Sequence, residues 1–229
     1  QYEHWNEKIS CLCPYFIVPS SMEVFIEALS PKMRINLRRY SRRMEKTHHV
    51  KLKKYHEIGS VKEAMKIFFQ LHQKRWRSVG KLGAFNDRIF RDFHMDIAKR
   101  FDEKGWLGLY FLTVNDEPIS GIYAFEYGQR MYCYLSGFNP QYARFSIGSL
   151  TIMYLVERCI HNRLMEFDLM RDAELYKSKW TKTVRKNFEV RYVRKGWIAK
   201  IYELSDKYSW LKKLSNMLAL GNLRAKYTK

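Results

Sequence analysis

The apolar positions near the start of the chain predict a strand followed by a helix. Residues 13–19 form an apolar run closed by a proline, which is typical of a short strand. The helix is indicated by apolar residues at i, i+3, i+4 and i+7, which lie on one helical face, namely Met22, Phe25, Ile26 and Leu29. Ser20 with Glu23 forms a capping-box pattern, which predicts that this helix starts at Ser20.

A second helix follows directly and is strongly basic. Ser30 precedes Pro31, a residue favoured at the first helical position, and the apolar stripe is Met33, Leu37, Tyr40 and Met44. Residues 32–54 contain ten basic side chains and one acidic, Glu45. Two interpretations remain open: a solvated helix face, or a surface that faces phosphate groups. In the second case a tRNA or an anionic membrane surface would contact Arg38, Arg39, Arg42 and Arg43.

Two further helices are predicted from their start and stop signals. Residues 50–58 resemble a basic edge strand, and the pair Ser60 and Glu63 then gives another capping box. Asn86 is placed to cap the fourth helix, and Gly105 is typical of its C-terminal end.

The pattern then changes to alternating strands. Residues 107–114, 119–127 and 130–136 read as an antiparallel meander with tight turns. A helix over 148–162 leads to a strand at 164–169, which is parallel to its predecessor if the helix is a crossover. The tail adds a short helix with Leu175, Tyr176 and Trp180, a strand near 188–193 and a terminal helix. The predicted fold class is α/β (α+β), with a mixed, largely antiparallel sheet flanked by helices.

Composition and charge narrow the classes of molecule that could bind this protein. The 229 residues are 46% hydrophobic and 28% charged, which excludes a disordered or collagen-like chain. Their 42 Lys and Arg against 23 Asp and Glu give a net charge of +19. So large an excess predicts acidic partners: nucleotides, phosphorylated cofactors, RNA or an anionic membrane.

The cysteines and histidines do not indicate a metal site. No CxxC pair occurs among the four cysteines, and the histidines lack zinc-ligand spacing. A reduced, cytoplasmic setting fits best. The longest apolar-rich run is far shorter than the roughly 20 residues of a membrane span. Because the sequence starts with Gln1 and not Met, an upstream segment is left open.

The junction between the meander and the following helix is the strongest candidate for a binding site. Gly148 and Ser149 lie at a helix N-terminus directly after the third meander strand. Free N–H groups and the positive end of the helix dipole favour a phosphate there, and Arg144 adds a charge. An ordinary helix start is the alternative.

The order of elements resembles the GNAT acyltransferase fold, and the motifs resemble its FemAB-type branch, particularly the CelD-like acetyltransferases associated with cellulose and exopolysaccharide synthesis. The matching motifs span about residues 13–193 and include SPKMRINLRR at 30–39, YLSGF at 134–138, FDLMRD at 167–172 and YKSKW at 176–180. Two positions depart from the family pattern. The loop at 144–149 lacks the first glycine, and Asp172 stands where the family has glycine.

The resemblance also implies a domain organisation and a donor site. FemAB-type proteins contain two GNAT-like halves, so residues 1–48 are expected to end an N-terminal half. Residues 49–203 would form the GNAT-like domain and 204–229 a basic helix. The expected co-substrate is acetyl-CoA or another acyl-CoA, without a metal. Its expected contacts are Arg144, Phe145, Ser146, Ile147, Gly148 and Ser149.

The same resemblance suggests catalytic residues. The third meander strand would give a backbone N–H to a thioester carbonyl, and Tyr134 would protonate the leaving thiolate. Lys177 resembles the lysine that FemAB-type ligases place near the transferred group, where it stabilises an oxyanion or a carboxylate. Asp168, at a strand's C-terminal end, and Glu126 are candidate bases. Asp168 could instead pair with Arg171.

Candidate substrate-binding residues lie in the third helix and the tail. His72 and Trp76, four apart on one helix face, are candidates for an acceptor pocket, and a core-facing position is the alternative. The remaining candidates are Arg171, Tyr176 and Trp180.

Three functions follow as expectations. The first is transfer of an acyl group from CoA to an amine or hydroxyl of a sugar, polysaccharide precursor or peptide. The second is an aminoacyl-tRNA-dependent FemAB-type peptidyltransferase. The third is a non-catalytic RNA- or membrane-binding module on the same fold. The expected location is cytoplasmic, with peripheral contact at the inner membrane face as an option.

Overall fold

One seven-stranded sheet organises the computed structural model of the chain, which describes residues 2–171, 176–194 and 204. The strands are β1 Tyr2–Ile17, β2 Val50–Lys54, β3 Leu107–Val114, β4 Glu117–Tyr127, β5 Arg130–Phe138, β6 Glu166–Asp168 and β7 Val184–Arg194. Their order in the sheet is β2-β3-β4-β5-β6-β1-β7. The β5–β6 pair is parallel, whereas β2 to β5 and the β1–β6 pair are antiparallel. The predicted mixed, largely antiparallel sheet is confirmed.

Five α-helices within residues 2–171 flank the sheet. They are α1 Met22–Ala28, α2 Pro31–Glu45, α3 Val61–Arg77, α4 Arg88–Glu103 and α5 Ile147–His161. Short 3₁₀ helices lie at Tyr55–Glu57, Ala84–Asn86, Pro140–Phe145 and Lys177–Lys179.

The chain divides into two compact units. The larger is Leu12–Arg185, and the smaller joins Gln1–Cys11 to Lys186–Lys229. Within the smaller unit Lys8 and Glu189 form an ion pair of 3.5 Å. The division expected from the sequence, 1–48, 49–203 and 204–229, stays a prediction. The predicted terminal helix and Leu175 lie outside the described residues.

Side chains of β3 alternate between two cores, one on each face of the sheet. Tyr110 and Leu112 join the core beneath α1, α2 and α5. Leu109 and Phe111 join the core beneath α3 and α4. Because both faces are covered, every residue of β3 is buried, and its sequence reads as a continuous apolar run.

The helix starts follow the expected chemistry with two corrections. Ser60 and Glu63 form the predicted capping box of α3, with Ser60 N–H donating to Glu63 Oε2 at 2.8 Å. The N-cap of α1 is Ser21 and not Ser20, since the Ser21 side chain accepts from Val24 N–H. Asp87 and not Asn86 caps α4, because its Oδ1 accepts the Ile89 N–H at 2.7 Å.

Some strand bounds also differ from the predictions. The strand predicted at 50–58 ends at Lys54, because Tyr55–Glu57 turns into a 3₁₀ helix. The strand predicted at 164–169 is the three-residue β6, and its parallel direction is confirmed. The strand predicted near 188–193 is longer and begins at Val184.

Helix α3 packs directly against the backbone of β5 at Gly137. A Cβ added to Gly137 would lie 2.3 Å from the backbone N of His72, a distance that real side chains do not tolerate. The glycine therefore sets how closely α3 approaches the sheet beside the end of β5.

We expect Gly137→Ala to lower the free energy of unfolding by about 3 kcal/mol, since a backbone clash forces α3 away from the sheet. Gly148→Ala is the control, because its Cβ would lie 3.8 Å from Phe138, an ordinary contact. Urea denaturation measures both variants. Equal stabilities for the two would contradict the close approach at Gly137.

Candidate active site

The parallel strands β5 and β6 separate after three residue pairs. Arg130, Met131 and Tyr132 pair with Glu166, Phe167 and Asp168, whereas β5 continues to Phe138. Beyond Tyr132 the β5–β6 pairing ends, and we call the place where β5 continues without β6 the opening between these strands. Sites in open sheets collect at the carboxyl ends of the strands.

Tyr134 is the extra residue of a β-bulge at this opening. Tyr123 pairs with Leu135 and Ala124 pairs with Cys133, so Tyr134 has no partner in the register. Bulges commonly re-aim a side chain near active sites. The Tyr134 ring lies on the α3 and α4 side of the sheet, packed against Tyr123 and Phe125. Burial raises the pKa of Tyr134, and the charge of Arg171 opposes that shift.

The loop after β5 leads directly into the start of α5. Ser146 adopts a left-handed conformation with φ of 50°, and its carbonyl accepts the N–H of Ser149 at 2.8 Å. Phe145 and Ile147 are buried and anchor the junction. The first N–H groups of a helix have no intrahelical acceptor, so this end can bind an anion. All six predicted donor contacts, residues 144–149, therefore form one continuous loop and helix start.

Two arginines lie beside this loop. The guanidinium of Arg144 is 4.9 Å from the Phe145 ring centroid, and that of Arg43, from α2, is 5.4 Å from it. Helix α2 is tied to α5 because the Tyr154 hydroxyl of α5 donates to the Glu45 carboxylate of α2. The loop therefore lies beside a second positive charge, from Arg43, that its own sequence does not contain.

Asp168 is buried and paired, but its partner is Arg185 and not Arg171. Its Oδ2 accepts from Arg185 Nη1 at 2.8 Å, and its Oδ1 accepts from the Met170 N–H at 2.6 Å. Arg185 also donates to both oxygens of Glu166 and lies 4.4 Å from the Tyr15 ring centroid. Burial raises the pKa of Asp168, and the Met170 N–H and Arg185 oppose that shift.

Lys177 is buried next to the same opening. Its Nζ donates to the carbonyl oxygen of Arg171. Burial raises the pKa of both Asp168 and Cys133 of β5, and the charge of Lys177 opposes that rise. Arg171 therefore connects two candidates, because its carbonyl contacts Lys177 while its charge acts on Tyr134. The structure thus links Asp168 with Lys177, Lys177 with Arg171, and Arg171 with Tyr134.

Glu126 is not brought together with Tyr134. Its Oε1 accepts from Lys54 Nζ and from the Tyr110 hydroxyl, each at 2.8 Å. Glu126 pairs with Met131, which packs in the core under α5, whereas Tyr134 lies on the opposite face. The ion pair and hydrogen bond explain why this carboxylate is retained inside the sheet.

The predicted acceptor residues divide between core and surface. His72 is 1% exposed, and its Nε2 accepts from Trp76 Nε1 at 2.9 Å. Burial lowers the pKa of His72 to about 4. Trp180 is buried and stacks on Phe25, with ring centroids 5.9 Å apart. Tyr176 is 37% exposed and Trp76 is half-buried, so both remain accessible beside these core residues.

Three residues near the site have no counterpart among the sequence candidates: His94, Glu166 and Arg185. His94 follows the apolar positions of α4 at helical spacing, and this spacing was the available signal. Arg185 contacts Asp168 only because of how the strands are arranged in the sheet, so no local sequence pattern indicates the pair. The described part of the chain contains no cluster of potential metal ligands. Within that part, no helix is long and apolar enough to cross a membrane.

Comparisons with known proteins agree with this geometry. Residues 31–178 match the family model described as acetyltransferase (GNAT) domain. The chain is similar to FemX, with a TM-score of 0.65 at 10% identity over 84% of this chain and 63% of FemX. It is similar to L-PGS from Bacillus licheniformis, with a TM-score of 0.55 at 10% identity over 86% of this chain and 64% of that one.

A further similar structure is the C-terminal domain of a candidate lysylphosphatidylglycerol synthetase from Agrobacterium fabrum. The TM-score is 0.55 at 10% identity, over 89% of this chain and 66% of that one. The chain spans 63% to 66% of the length of these three structures. At such low identity these similarities establish only a shared fold. The predicted FemAB-type GNAT fold is confirmed. No curated protein matches the sequence.

We expect the buried His72 to make stability depend on pH. In the unfolded chain a histidine titrates near pH 6.5, whereas the folded pKa is about 4. Between these values the unfolded state binds a proton that the folded state does not, so stability falls as the pH drops. The loss from His72 is about 3 kcal/mol between pH 7 and pH 4.

Urea denaturation at pH 7 and pH 4.5 tests this expectation by comparing the protein with His72→Gln. The variant should lose less stability on acidification, and the exposed-site control His161→Gln should behave like the parent. Identical pH slopes in all three proteins would contradict it.

Proposed function

The chain belongs to the acetyltransferase (GNAT) domain family, and we propose that it transfers an acyl group from an acyl-CoA to an amine or hydroxyl acceptor. The acceptor class is a sugar, a polysaccharide precursor or a peptide. The observation that supports the proposal is the succession along β5 of three features: the end of its pairing with β6, the bulge at Tyr134, and the helix start at Gly148 that follows the strand.

The donor's phosphates would lie at the start of α5. The helix N-terminus supplies N–H groups and the positive end of the dipole. Arg144 and Arg43 add full charges beside Phe145. The thiol arm of the donor would enter between β5 and β6, where β5 no longer pairs with β6 and its backbone groups on that edge have no β6 partner.

The transfer itself needs charge stabilisation and a proton for the leaving group. The acceptor's lone pair forms a bond to the thioester carbon, and the carbonyl π electrons move to oxygen. We assign the stabilisation of that oxyanion to Lys177, because its buried position strengthens its electrostatic interaction with a nearby negative charge. When the C–S bond breaks, the Tyr134 hydroxyl gives its proton to the thiolate.

Asp168 has a supporting role in this proposal. Both of its oxygens accept hydrogen bonds, from Met170 and from Arg185, so neither is directed at an acceptor. The hydrogen bond from Met170 N–H stabilises the left-handed turn at that residue, where φ is 56°. This turn places the Arg171 carbonyl where Lys177 binds it. Asp168 would therefore hold Lys177 in position.

An aminoacyl-tRNA donor is the second candidate function. It is favoured by the likeness to FemX together with the exposed arginines of α2. These arginines are Arg38, Arg39, Arg42 and Arg43, and Arg43 also reaches the donor loop. A basic surface continuous with the loop would suit a polyanionic donor.

We expect Gly148→Asp to abolish binding of acetyl-CoA, because a carboxylate at the start of α5 repels the donor's phosphates. Gly148→Ala should bind as the parent does, since its Cβ finds ordinary space. Calorimetric titration measures the affinities, and circular dichroism checks the fold. Unchanged affinity in folded Gly148→Asp would exclude this loop as the donor site.

The two donors are distinguished by titrating the same proteins with charged tRNA at increasing salt. A tRNA donor requires a steep loss of affinity with salt, and replacing the four α2 arginines with Gln should reduce that slope. If acetyl-CoA binds saturably and tRNA binding is unaffected by these changes, the acyl-CoA proposal stands and the tRNA alternative fails.

For Lys177→Met we expect kcat to fall about 100-fold with little change in KM, because an oxyanion exists mainly in the transition state. Methionine retains the length and apolar stem of the buried side chain. Lys179→Met changes an exposed lysine on the same turn and should have no effect. Release of free thiol from the donor measures turnover. A rise in KM alone would assign Lys177 to substrate binding instead.

A further inference from the structure

His94 of α4 lies against Tyr134, enclosed by aromatic rings. It is 4% exposed, and its ring centroid is 5.3 Å from that of Tyr134 and 5.7 Å from that of Tyr123. Phe90 and Phe85 cover it at 4.4 and 5.7 Å. A histidine in such surroundings needs a hydrogen-bond partner, because burying an unpaired polar group costs about 1–3 kcal/mol.

One nitrogen of His94 faces the Tyr134 hydroxyl, and the other has no partner. Nε2 lies 3.5 Å from the Tyr134 oxygen. Nδ1 is buried, and no hydrogen-bond partner for it occurs among the described residues. Burial lowers the pKa of His94, so the ring is neutral near pH 7 and carries a single N–H. Because no second bond fixes the tautomer, that hydrogen is free to reside on Nε2.

Among the described groups that face Tyr134, His94 is the one that can form a hydrogen bond with the Tyr134 hydroxyl. The titratable or charged neighbours that the described residues provide are Tyr123 from β4, His94 from α4 and Arg171 after β6. The Tyr123 hydroxyl is buried, and no hydrogen-bond partner for it, Tyr134 included, occurs among the described residues. Burial raises the pKa of Tyr123, and Tyr134 adds to that rise, so the hydroxyl remains protonated. Arg171 acts on Tyr134 through its charge. His94 alone among them is within hydrogen-bonding reach.

We propose that His94 is a positioning residue that donates Nε2–H to the Tyr134 oxygen and stabilises the tyrosinate formed during acyl transfer. This inference rests on the proposed general-acid role of Tyr134. The O–H bond of Tyr134 breaks as the S–H bond of the leaving thiol forms, and the phenolate electron pair then accepts the His94 hydrogen bond. The proton lost by the acceptor nucleophile restores the hydroxyl, so no other reactant is required.

The geometry also explains how Tyr134 would direct its proton. A hydroxyl has one hydrogen, so a tyrosine that donates to His94 could not donate to the leaving group at the same time. When His94 donates, the Tyr134 hydrogen is left to point into the opening between β5 and β6. The distance of 3.5 Å is long for a hydrogen bond, and catalytic hydrogen bonds often shorten only when substrate binds.

The first test measures the pKa of Tyr134 without any substrate. Protein labelled with ¹³Cζ-tyrosine is titrated by NMR, and Tyr134→Phe assigns the resonance. His94→Phe should raise the Tyr134 pKa by about one unit, because a donor to the charged form is lost. His94→Gln keeps an N–H donor and should restore most of the shift. Tyr123→Phe, which removes the neighbouring hydroxyl, is the matched control. An unchanged pKa in His94→Phe, with native near-ultraviolet dichroism, would overturn the proposal.

The second test uses turnover and non-additivity. His94→Phe should lower kcat about tenfold while KM is retained, and it should have no further effect in a Tyr134→Phe background. Equal losses in both backgrounds would overturn the proposal, since a packing role does not depend on the Tyr134 hydroxyl. Failure of the proposed function is recognised separately, because acetyl-CoA would then fail to bind the parent protein while the NMR shift remained measurable.

Discussion

The short parallel contact between β5 and β6 is the constraint on which the site depends. It involves only three residue pairs, and one cation, Arg185, holds both carboxylates of β6 in place. Removing a partner from such a buried ion pair costs several kcal/mol, because a charge is left without compensation. The clamp therefore holds β6 at both of its ends, and the pairing with β5 stops where β6 ends at Asp168.

The divergence of these strands determines which side chains meet. Neighbours on β5 point to opposite faces, so Cys133 is directed toward α5 and Tyr134 toward α4. His94 contacts Tyr134 on the second side. The charge of Lys177 acts on both Cys133 and Asp168, and its Nζ donates to the Arg171 carbonyl. Arg171 in turn acts on Tyr134 through its charge, so these contacts link residues of β5 and β6.

The sequence predicted features that local chemistry determines. The meander, the capping box at Ser60 and the helix start near Gly148 depend on residues within a few positions of one another. The bulge at Tyr134 and the Asp168–Arg185 pair depend on register between distant strands, which periodicity does not encode. The role of Glu126 also depends on contacts that the sequence does not reveal. A lone carboxylate on a strand suggests a catalytic base, but in the folded sheet Glu126 forms an ion pair with Lys54.

The charges around the opening explain why an anionic donor suits it. At β6 two carboxylates, Glu166 and Asp168, face Arg185 and Arg130, and the buried Lys177 lies close enough to act on Asp168. The local balance is therefore slightly positive even before the loop is considered. Arg43 and Arg144 at Phe145 add two further positive charges next to a helix N-terminus. Because the low-dielectric core lies behind them, their field is directed outward into the opening, where phosphates would enter.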